Sequence, residues 1–588
     1  MKCAIVLAGA KDLRTKRIYQ KKKDLLSMAS SSAQQNIITS IIGQIRHEKF
    51  TKGIIEMVVT MTNLNKKNTR IIIGNPGCGK TTKLISELQQ LYQDGIPLER
   101  IAYCSFSVAA IDEAVSRALK ALKISTDTSP NLLETGNYKG KLIYFKTLHA
   151  MAFRLLGLES SCLLSESGLK EFALSQGLRV TGDYIRKKGL PHRMTQGDKI
   201  MQIIGVSELC NQSIRDYMIK NDVHEIPIDL VERIAHNYKA FKVLSSQYDY
   251  TDMLVMAKNT DLEVPELDYL FIDEAQDLSS LQWILVNKLA SKAEHIIIAG
   301  DDKQAVNSFN GADVDTFLAL PGKVETLKQS YRVPKVVFDV ANKIVNKMTA
   351  YRKEGALWKP RRVEGTLNYV NSLPLDKLQK GKDWLVLARG GYQLQTLARE
   401  LYKMKDGQKP ILFTLNGMPP VDMDAYAIIW LYKHYGKEWV KKITAPITEK
   451  DTAEQASNKR KYQKILKRFI KNAFPIEEAA NKEWHELFVN EDPIKVRYLQ
   501  KTYMLYLQKG ENMFKDAPVR LMTIHAAKGR EADNVIVYLN IPKTVADTLR
   551  YDDSDVELKV LYVAITRAKQ NLYLYTDKRQ PYSYYNIL

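Results

Sequence analysis

A glycine-rich segment follows a run of three isoleucines close to residue 70. Residues 74–82 read Gly-Asn-Pro-Gly-Cys-Gly-Lys-Thr-Thr. In the spacing G-x-x-x-x-G-K-T, the glycines let backbone N–H groups turn toward phosphate, the lysine reaches the terminal phosphates, and the threonine hydroxyl reaches Mg²⁺. A chance glycine turn before a helix is the alternative for this segment alone. The pattern predicts a nucleotide site of nine residues, of which Thr81 also contacts the metal: Gly74, Asn75, Pro76, Gly77, Cys78, Gly79, Lys80, Thr81 and Thr82.

Acidic residues directly follow two apolar runs further along the chain. Asp273 and Glu274 come after the run 267–272, and Asp301 comes close behind the run 295–299. A carboxylate beside a phosphate loop is the usual protein ligand of Mg²⁺, and an adjacent glutamate can polarise a water molecule. We therefore predict that Asp273 binds the metal and that Glu274 acts on water, with a solvated acidic turn as the alternative.

Parallel strands are the elements that would bring these groups together, because ligands bind at the carboxyl ends of strands in open α/β sheets. Apolar runs typical of buried strands fall into two series. The first lies at 71–73, 101–106, 141–145, 267–272 and 295–299, and the second at 384–388, 411–415, 519–525, 534–538 and 572–575. A polar, helical stretch without phosphate motifs interrupts each series. The sequence therefore predicts an α/β fold with two lobes, each containing a mostly helical insertion.

Changes in pattern set the expected boundaries of these parts. Residues 1–65 lack a strand and loop pattern and are predicted to be an N-terminal extension, with Met61 as an alternative start. The first lobe is predicted at 66–157 and 248–325 with its insertion at 158–247, and the second lobe at 326–420 and 516–588 with its insertion at 421–515. The second insertion contains an apolar stripe flanked by lysines and arginines, whose charged side is either a solvated face or a nucleic-acid contact. The stripe is Tyr462, Ile465, Leu466, Phe469 and Ile470.

The charge balance points to a polyanionic partner. Lys and Arg number 87 against 66 Asp and Glu in 588 residues, which gives a formal net charge of +21. Such an excess favours nucleic acid, because each neutralised phosphate releases counterions, although a basic chain can also be merely soluble. The five cysteines form no C-x-x-C pair, which favours a reducing compartment, and the apolar run 4–10 is too short to cross a bilayer. We expect a cytoplasmic protein without a membrane partner.

Eight short segments, taken in their order along the chain, carry glycine, hydroxyl, aromatic and charged residues of the kinds that bind nucleotides and nucleic acids. They are residues 74–82, 106–113, 147–149, 273–277, 300–313, 331–332, 523–531 and 562–568. In this order they resemble the motifs of superfamily 1 DNA helicases of the UvrD/Rep/PcrA type, over residues 66 to 588. The resemblance implies two RecA-like P-loop NTPase lobes with parallel sheets and with ATP and Mg²⁺ between them. It also implies ATP-driven movement 3′ to 5′ along single-stranded DNA and unwinding at duplex junctions in replication, repair or recombination, with proteins of those processes as candidate partners.

The resemblance also implies roles in hydrolysis for residues beyond the loop and its acidic neighbours. Gln304 matches a residue that senses the γ-phosphate. Arg332 and Arg567 match arginines of the second lobe that stabilise charge developing on the transferred phosphoryl group. Tyr331 resembles the residue that stacks on adenine, and Glu531 resembles the one that contacts the ribose. Because the arginines and the phosphate loop lie on different lobes, hydrolysis would require the lobes to close.

A further set matches family positions that line the DNA path or transmit the nucleotide state. Two departures accompany it: Asn307 and Asn310 stand where the family usually has Tyr and Arg, and no glutamine motif precedes Ile71. These departures leave two points open: how strongly ATP hydrolysis is coupled to movement on DNA, and whether ATP is preferred over other nucleotides. The implied DNA-binding residues are Phe106, Thr147, His149, Phe309, Thr523 and His525.

Two other classes of protein share parts of this pattern. A small-molecule P-loop kinase would need an acceptor site rather than a second lobe, so residues 327–588 argue against it. A DNA-stimulated ATPase that acts as a clamp or loader with little unwinding remains an alternative, because Asn307 and Asn310 remove one stacking surface and one cation.

Overall fold

A computed structural model shows how these segments are arranged. It describes residues 62–65, 68–124, 142–181, 194–307, 310–349, 358–403, 409–449, 451–470, 473–489, 491–551 and 554–588. The chain divides into two compact units, Met1–Lys66 and Lys67–Leu588. The described part of the first unit is the short helix α1 (Thr62–Asn65), and the elements below belong to the second unit. None of the described helices combines the length and the hydropathy that a membrane-spanning segment requires.

Six parallel strands form the first sheet, in the order β3-β2-β4-β5-β1-β6. β2 is buried along its whole length, which fits the continuous apolar run in its sequence. The order places the carboxyl ends of β1, β4 and β5 at one edge, so the phosphate loop (residues 74–82) lies beside the acidic residues that follow β4 and β5. The strands are β1 (Asn68–Gly74), β2 (Ile101–Ser105), β3 (Phe145–Thr147), β4 (Leu267–Asp273), β5 (Ala293–Gly300) and β6 (Lys323–Leu327).

Several helices of this half begin at a residue whose side chain caps the first turn. The Ser107, Thr147 and Ser279 hydroxyls each accept a hydrogen bond from a backbone N–H in the helix that follows. The helices are α2 (Lys80–Gln93), α3 (Val108–Ala121), α4 (Leu148–Leu155), α5 (Glu166–Ser175), α6 (Gln196–Leu209), α7 (Ile214–Lys220), α8 (Ile228–Leu244), α9 (Tyr250–Asn259), α10 (Ser280–Ala290) and α11 (Val314–Leu318).

Helices α5 to α8 bury an apolar core of their own. Phe172 of α5, Ile204 of α6, Met218 of α7 and Tyr238 of α8 all belong to it. The core beside the first sheet is formed by other residues, most of which come from strands β1 to β5 and helices α2 and α3. The helical stretch between β3 and β4 therefore packs around itself rather than extending the sheet.

A second sheet of six parallel strands has the order β7-β12-β11-β8-β10-β9. Alternate residues of its strand β8 enter two different cores: Trp384 and Val386 one, and Leu385 and Leu387 the other. Val306, from the loop after β5, packs into the second of these cores and so links the two sheets. The strands are β7 (Thr366–Val370), β8 (Trp384–Ala388), β9 (Phe413–Leu415), β10 (Val519–Thr523), β11 (Ala532–Tyr538) and β12 (Ala568–Tyr575).

The helices of this half cover both faces of the second sheet. The apolar stripe predicted on α16 is confirmed, since Ile465, Leu466, Phe469 and Ile470 are buried and Tyr462 packs against the same core. The helices are α12 (Lys335–Lys347), α13 (Leu375–Lys380), α14 (Gly391–Tyr402), α15 (Asp424–Thr444), α16 (Ala453–Ile470), α17 (Pro493–Lys509), α18 (Lys543–Tyr551) and α19 (Ser554–Ile565).

Two strand predictions need correction. The strand predicted at 141–145 begins only at Phe145, because the Phe145 N–H donates to the Leu142 carbonyl and closes a turn there. The run 519–525 leaves the sheet after Thr523 and continues as a turn. Strands β6 and β7 were not predicted from the sequence, since both carry exposed residues rather than an apolar run.

Candidate active site

The phosphate loop joins β1 to α2 in a conformation that requires glycine. Gly79, directly before α2, has a φ of 79°, in the left-handed region. Gly77 has a φ of 70°, and a Cβ there would lie 2.3 Å from the Cβ of Arg332. Lys80 is buried and its Nζ donates a 2.7 Å hydrogen bond to the Gly74 carbonyl. The N-terminus of α2 and the Lys80 ammonium thus form a site for an anion.

Two hydroxyl groups and one backbone N–H hold the Asp273 carboxylate at the end of β4. Thr81 Oγ1 donates to Asp273 Oδ2 at 2.7 Å, and the Tyr103 hydroxyl donates to the same oxygen at 2.8 Å. The Glu274 backbone N–H donates to Asp273 Oδ1 at 2.9 Å. The structure thus brings together the two residues that were predicted to bind the metal.

The oxygen donors at this point fit a magnesium ion. Thr81 and Asp273 offer a hydroxyl and a carboxylate, which are hard ligands of the kind that Mg²⁺ takes together with water and phosphate. Ser105 lies directly opposite Asp273 in the β2–β4 pairing, and it is fully buried. Its Oγ has no hydrogen-bond partner within the described residues. A buried hydroxyl of this kind needs a polar neighbour, which a metal-bound water would provide.

Asp273 and Glu274 are adjacent but have different electrostatic surroundings. Burial and the neighbouring Glu274 charge raise the pKa of Asp273 despite the hydrogen bonds that it accepts. Burial also acts to raise the pKa of Glu274, but Lys528 and Lys80 lower it below its ordinary value. Glu274 has a left-handed φ of 54°, and Gln276 Nε2 donates to its Oε2 at 2.5 Å. The carboxyl group of Glu274 thus favours the ionised form, and a hydrogen bond holds its position.

Gln304 connects the first sheet to an arginine of the second. Its Nε2 donates to Asp301 Oδ2, and its Oε1 accepts from Arg567 Nη2, both at 2.6 Å. Arg567 follows α19, is 1% exposed, and also donates from Nε to the Val563 carbonyl at 2.9 Å. Burial and the charge of Arg332 lower the pKa of Arg567. An arginine distant in sequence thus reaches the edge of the first sheet where the phosphate loop lies.

Residues 330 and 331 contact the phosphate loop directly. The Ser330 hydroxyl donates to the Pro76 carbonyl, and the Tyr331 backbone N–H donates to the Gly77 carbonyl, each at 2.8 Å. The Tyr331 side chain is 72% exposed, and its ring passes 3.8 Å from the point that a Cβ of Gly79 would occupy. Tyr331 therefore offers an open aromatic face beside the loop, as a base-stacking residue must.

Arg332 and Glu531 form an ion pair on the second-sheet side of the loop. The Arg332 side chain is mostly buried, whereas Glu531 is 41% exposed. The structure thus brings together one predicted transition-state arginine and the predicted ribose contact, which bind one another.

A buried ion pair between the two sheets was not predicted. Lys528, in the turn after β10, places its Nζ 2.6 Å from Asp277 Oδ2 and also donates to the Gln304 carbonyl. Asp277 Oδ1 accepts from Asn307 Nδ2 at 2.9 Å. Burial raises the pKa of Asp277, and Lys528 opposes that rise. The sequence signal that could have identified this pair is a lysine in the turn that follows strand β10, opposite in charge to the acidic residues that follow β4.

The predicted DNA-binding residues that the structure describes come from several elements of both halves. Thr147 and Thr523 accept hydrogen bonds from Ala150 and Ala526 N–H groups and so cap the turns that follow β3 and β10. The His149 ring lies edge-on to Tyr250, with ring centroids 6.3 Å apart. Phe106 and His525 are both partly exposed, and Phe309 lies outside the described residues.

Comparisons with protein families assign this arrangement. A model described as the UvrD/REP helicase N-terminal domain matches residues 59–325, and one described as the UvrD-like helicase C-terminal domain matches residues 421–579. The chain belongs to the UvrD-like helicase family. The resemblance inferred from the eight motifs is confirmed, and so is the α/β fold class with two parallel sheets.

Curated proteins similar to this chain include several named ATP-dependent DNA helicase PcrA. The protein from Staphylococcus epidermidis is 21% identical over 316 residues, and the one from Staphylococcus aureus is 22% identical over 318 residues. Each alignment covers 52% of this chain and 41% of the relative, so the chain matches about two fifths of the length of these relatives.

Solved structures similar to this chain include two viral helicases. They are titled as the PRRSV helicase and as arterivirus nonstructural protein 10, a helicase. Each is 10% identical, with a TM-score of 0.31, and they cover 89% and 88% of this chain and 55% and 61% of their own chains. At this low similarity they add nothing to the assignment.

Proposed function

We propose that this chain is an ATP-dependent DNA helicase or translocase that moves 3′ to 5′ on single-stranded DNA and unwinds duplex. The observation that carries the proposal is the hydrogen bond of 2.6 Å between Arg567 and Gln304. Through this contact the Arg567 guanidinium, from the second-sheet half, lies near the phosphate loop and near Asp273 and Glu274 of the first-sheet half. A cleft that joins these groups has the parts needed for phosphoryl transfer to water. The names of the curated PcrA relatives support DNA as the substrate.

Each group in the cleft is assigned one role in hydrolysis. Lys80 would neutralise the terminal phosphates, and Glu274 would accept the proton of the attacking water. Mg²⁺, held by Thr81 and Asp273, would supply charge neutralisation on the phosphate oxygens. Arg567 is placed to stabilise the charge that grows on the transferred phosphoryl group.

Three residues complete the nucleotide site in this proposal. Gln304 is assigned to sensing the γ-phosphate, since it lies between Arg567 and Asp301. The open Tyr331 ring is assigned to the base, and Glu531 to the ribose. Arg332, which binds Glu531, is assigned to the phosphoryl group as the second arginine.

Movement along DNA is proposed to follow from closure of the lobes. The first lobe would comprise 66–157 and 248–325, and the second 326–420 and 516–588, with 158–247 and 421–515 as insertions. The catalytic groups come from both sheets, so hydrolysis requires closure and product release permits reopening. A strand held by Phe106, Thr147, His149, Phe309, Thr523 and His525 would then advance with each cycle, and aromatic stacking supplies about 1 to 3 kcal/mol per base.

A clamp or loader with weak unwinding is the second candidate function. Asn307 favours it, because its side chain is buried against Asp277 and offers no aromatic face to a base. Asn310 likewise has a buried amide nitrogen without a partner among the described residues. This candidate predicts DNA-stimulated hydrolysis without strand separation.

The deciding experiment measures ATP hydrolysis with and without single-stranded DNA, together with unwinding of a duplex that carries a 3′ or a 5′ overhang. Lys80→Ala should abolish hydrolysis and leave DNA binding intact, because it removes the ammonium at the phosphates and leaves the DNA surface unchanged. Lys83→Ala is the matched control, since Lys83 lies on the same helix and pairs with Glu325 outside the loop.

Three results separate the possibilities. Hydrolysis stimulated by DNA and unwinding only from the 3′ overhang are expected. Stimulated hydrolysis without unwinding would favour the clamp. Hydrolysis by Lys80→Ala near the wild-type rate would show that the phosphate-loop assignment is wrong.

A further inference from the structure

Tyr103 places a hydroxyl group in the middle of a buried strand. It is fully buried in β2, every residue of which is buried. A tyrosine hydroxyl in such a place needs a hydrogen-bond partner. Its partner is Asp273 Oδ2, 2.8 Å away. The hydroxyl is therefore committed to the carboxylate predicted to bind the metal.

The register of the sheet fixes where this hydroxyl points. Tyr103 lies opposite Phe145 of β3 and opposite Phe271 of β4. Its ring stacks on both, with centroid distances of 5.4 Å and 6.1 Å. Asp273 is two residues beyond Phe271 and so lies on the same face, as the diagonal neighbour that a long side chain reaches across a sheet. Two flanking rings thus hold the Tyr103 hydroxyl at Asp273.

The two hydroxyl donors to Asp273 Oδ2 differ in their freedom to move. Thr81 belongs to the phosphate loop, and a threonine that gives a lone pair to a metal still has its proton to donate to Asp273. Tyr103 belongs to the central part of the sheet and does not contact the loop through its hydrogen bond. Together with the Glu274 N–H on Oδ1, it fixes both oxygens of the carboxylate from the sheet side.

We propose that Tyr103 is a positioning residue that orients Asp273 for magnesium. The Tyr103 hydroxyl holds the Asp273 carboxylate in the orientation in which Asp273 and Thr81 together bind the ion of a bound nucleotide. The inference deepens the proposed function and rests on it. No proton transfer is involved, since the hydroxyl acts only as a hydrogen-bond donor.

The test is Tyr103→Phe, which keeps the ring between Phe145 and Phe271 and removes one oxygen. Binding of Mn²⁺, used as a spectroscopic substitute for Mg²⁺, is titrated by electron paramagnetic resonance in the complex with ADP, so that no turnover is needed. A hydrogen bond to a charged group contributes about 1.5 to 3 kcal/mol, and we therefore expect the Mn²⁺ affinity to fall about tenfold or more. ADP affinity in EDTA should stay at the wild-type value, because the phosphate loop is untouched.

Tyr269→Phe is the matched control. Tyr269 lies on β4, and its ring stacks on Phe271 with a centroid distance of 6.2 Å, in the same group of aromatic rings. It should bind Mn²⁺ and ADP as the wild type does. If Tyr103→Phe instead lowers the unfolding temperature well below that of Tyr269→Phe with no specific loss of Mn²⁺, the hydroxyl serves the fold and the proposal is wrong.

A double-mutant cycle shows whether Tyr103 acts through Asp273. In an Asp273→Asn background the carboxylate is already gone, so adding Tyr103→Phe should cause no further loss of Mn²⁺ affinity. A full second loss there, or unchanged Mn²⁺ affinity in Tyr103→Phe alone, would overturn the inference. Failure of the wild-type protein to bind ADP at all would instead overturn the proposed function, and the inference with it.

Discussion

The buried ion pair between Lys528 and Asp277 gives the sharpest test of coupling between the two sheets. The side chains are 11% and 3% exposed, and the pair is 2.6 Å long. Lys528→Met removes the cation and keeps most of the apolar stem. Asp277 would then keep only Asn307 as a side-chain donor in the described structure, so its charge would be buried without compensation. The change should therefore weaken the closed arrangement of the lobes.

The structure sets the size of the effect. Breaking a buried pair from one side costs about 3 to 5 kcal/mol, which corresponds to a loss of roughly 150-fold to 5,000-fold in the equilibrium constant for closure of the lobes. Burial already holds the pKa of Asp277 above its ordinary value, and loss of Lys528 should raise it further. At pH values below this raised pKa, the carboxyl group is protonated and its burial costs little. As the pH rises above the pKa, the carboxyl group ionises and its burial becomes costly. The defect should therefore grow as the pH rises through the raised pKa of Asp277.

Two measurements report on this defect. Steady-state ATP hydrolysis with saturating single-stranded DNA follows the catalytically closed form. Energy transfer between dyes at exposed positions 120, on α3, and 392, on α14, follows the distance between the lobes. Adding Asp277→Asn should restore closure because it removes the orphaned charge. Recovery of hydrolysis should be partial, since Lys528 also lowers the pKa of Glu274.

Lys569→Met is the control for this prediction. Lys569 pairs with Asp383 and Asp533 at 3.5 Å and 3.3 Å, within the second half of the chain. It should change neither the energy transfer nor its pH dependence. If Lys528→Met and Asp277→Asn have independent, additive effects, the pair does not couple the lobes and the reasoning is refuted.

Two further changes test the chemistry and the electrostatics. Arg567→Ala should lower kcat by about 10³ to 10⁵ with little change in MgATP affinity, and Arg567→Lys should rescue it poorly because Nε and Nη2 serve two separate acceptors; a parallel fall in affinity, measured by equilibrium titration, would contradict this. Burial chiefly raises the pKa of Glu208 from 4.5 to about 7, so the folded state binds the extra proton and stability falls as pH rises through this range. Glu208→Gln should then raise the free energy of unfolding by about 1 to 3 kcal/mol at pH 8 and by little at pH 5, whereas an equal effect at both pH values in urea unfolding would refute it.

The sequence predicted the parts of the fold that repeat a strong local pattern. Buried strands such as β4 and β5 are continuous apolar runs, and the residues after them are acidic, so both strands and site residues were readable. β6 and β7 lie at sheet edges, where solvent exposure permits polar residues and removes the pattern. Their existence follows from pairing with β1 and β12, which only the three-dimensional arrangement shows.

The site was predicted where one short motif contains the chemistry, and missed where the partner lies far along the chain. Thr81 and Asp273 were each identified from local context, and the structure joins them across 192 positions of sequence. Tyr103 lies outside the eight motif segments, and Lys528 lies within one of them, residues 523–531, but the resemblance implies no role for it. In the sequence, Tyr103 looks like any aromatic residue of a buried strand. Only the register of β2 with β4 shows that it lies diagonally across from Asp273. In the sequence, Lys528 looks like an ordinary lysine in a turn. Only the packing of the two halves shows that it pairs with Asp277.

Two ion pairs near the phosphate loop, Arg332–Glu531 within the second half and Lys528–Asp277 between the halves, differ in what their loss would cost, and this difference suggests an order of events for the proposed nucleotide cycle. Arg332–Glu531 involves a carboxylate that is 41% exposed, and a pair of that kind contributes about 0 to 1 kcal/mol. A ribose could therefore replace Arg332 at Glu531 at little cost. Lys528–Asp277 is buried, and the cost of separating its charges is several times larger. In the proposed cycle, nucleotide entry would need only the Arg332–Glu531 pair to exchange. Opening of the lobes would need the buried Lys528–Asp277 pair to break, and hydrolysis with product release would supply that energy.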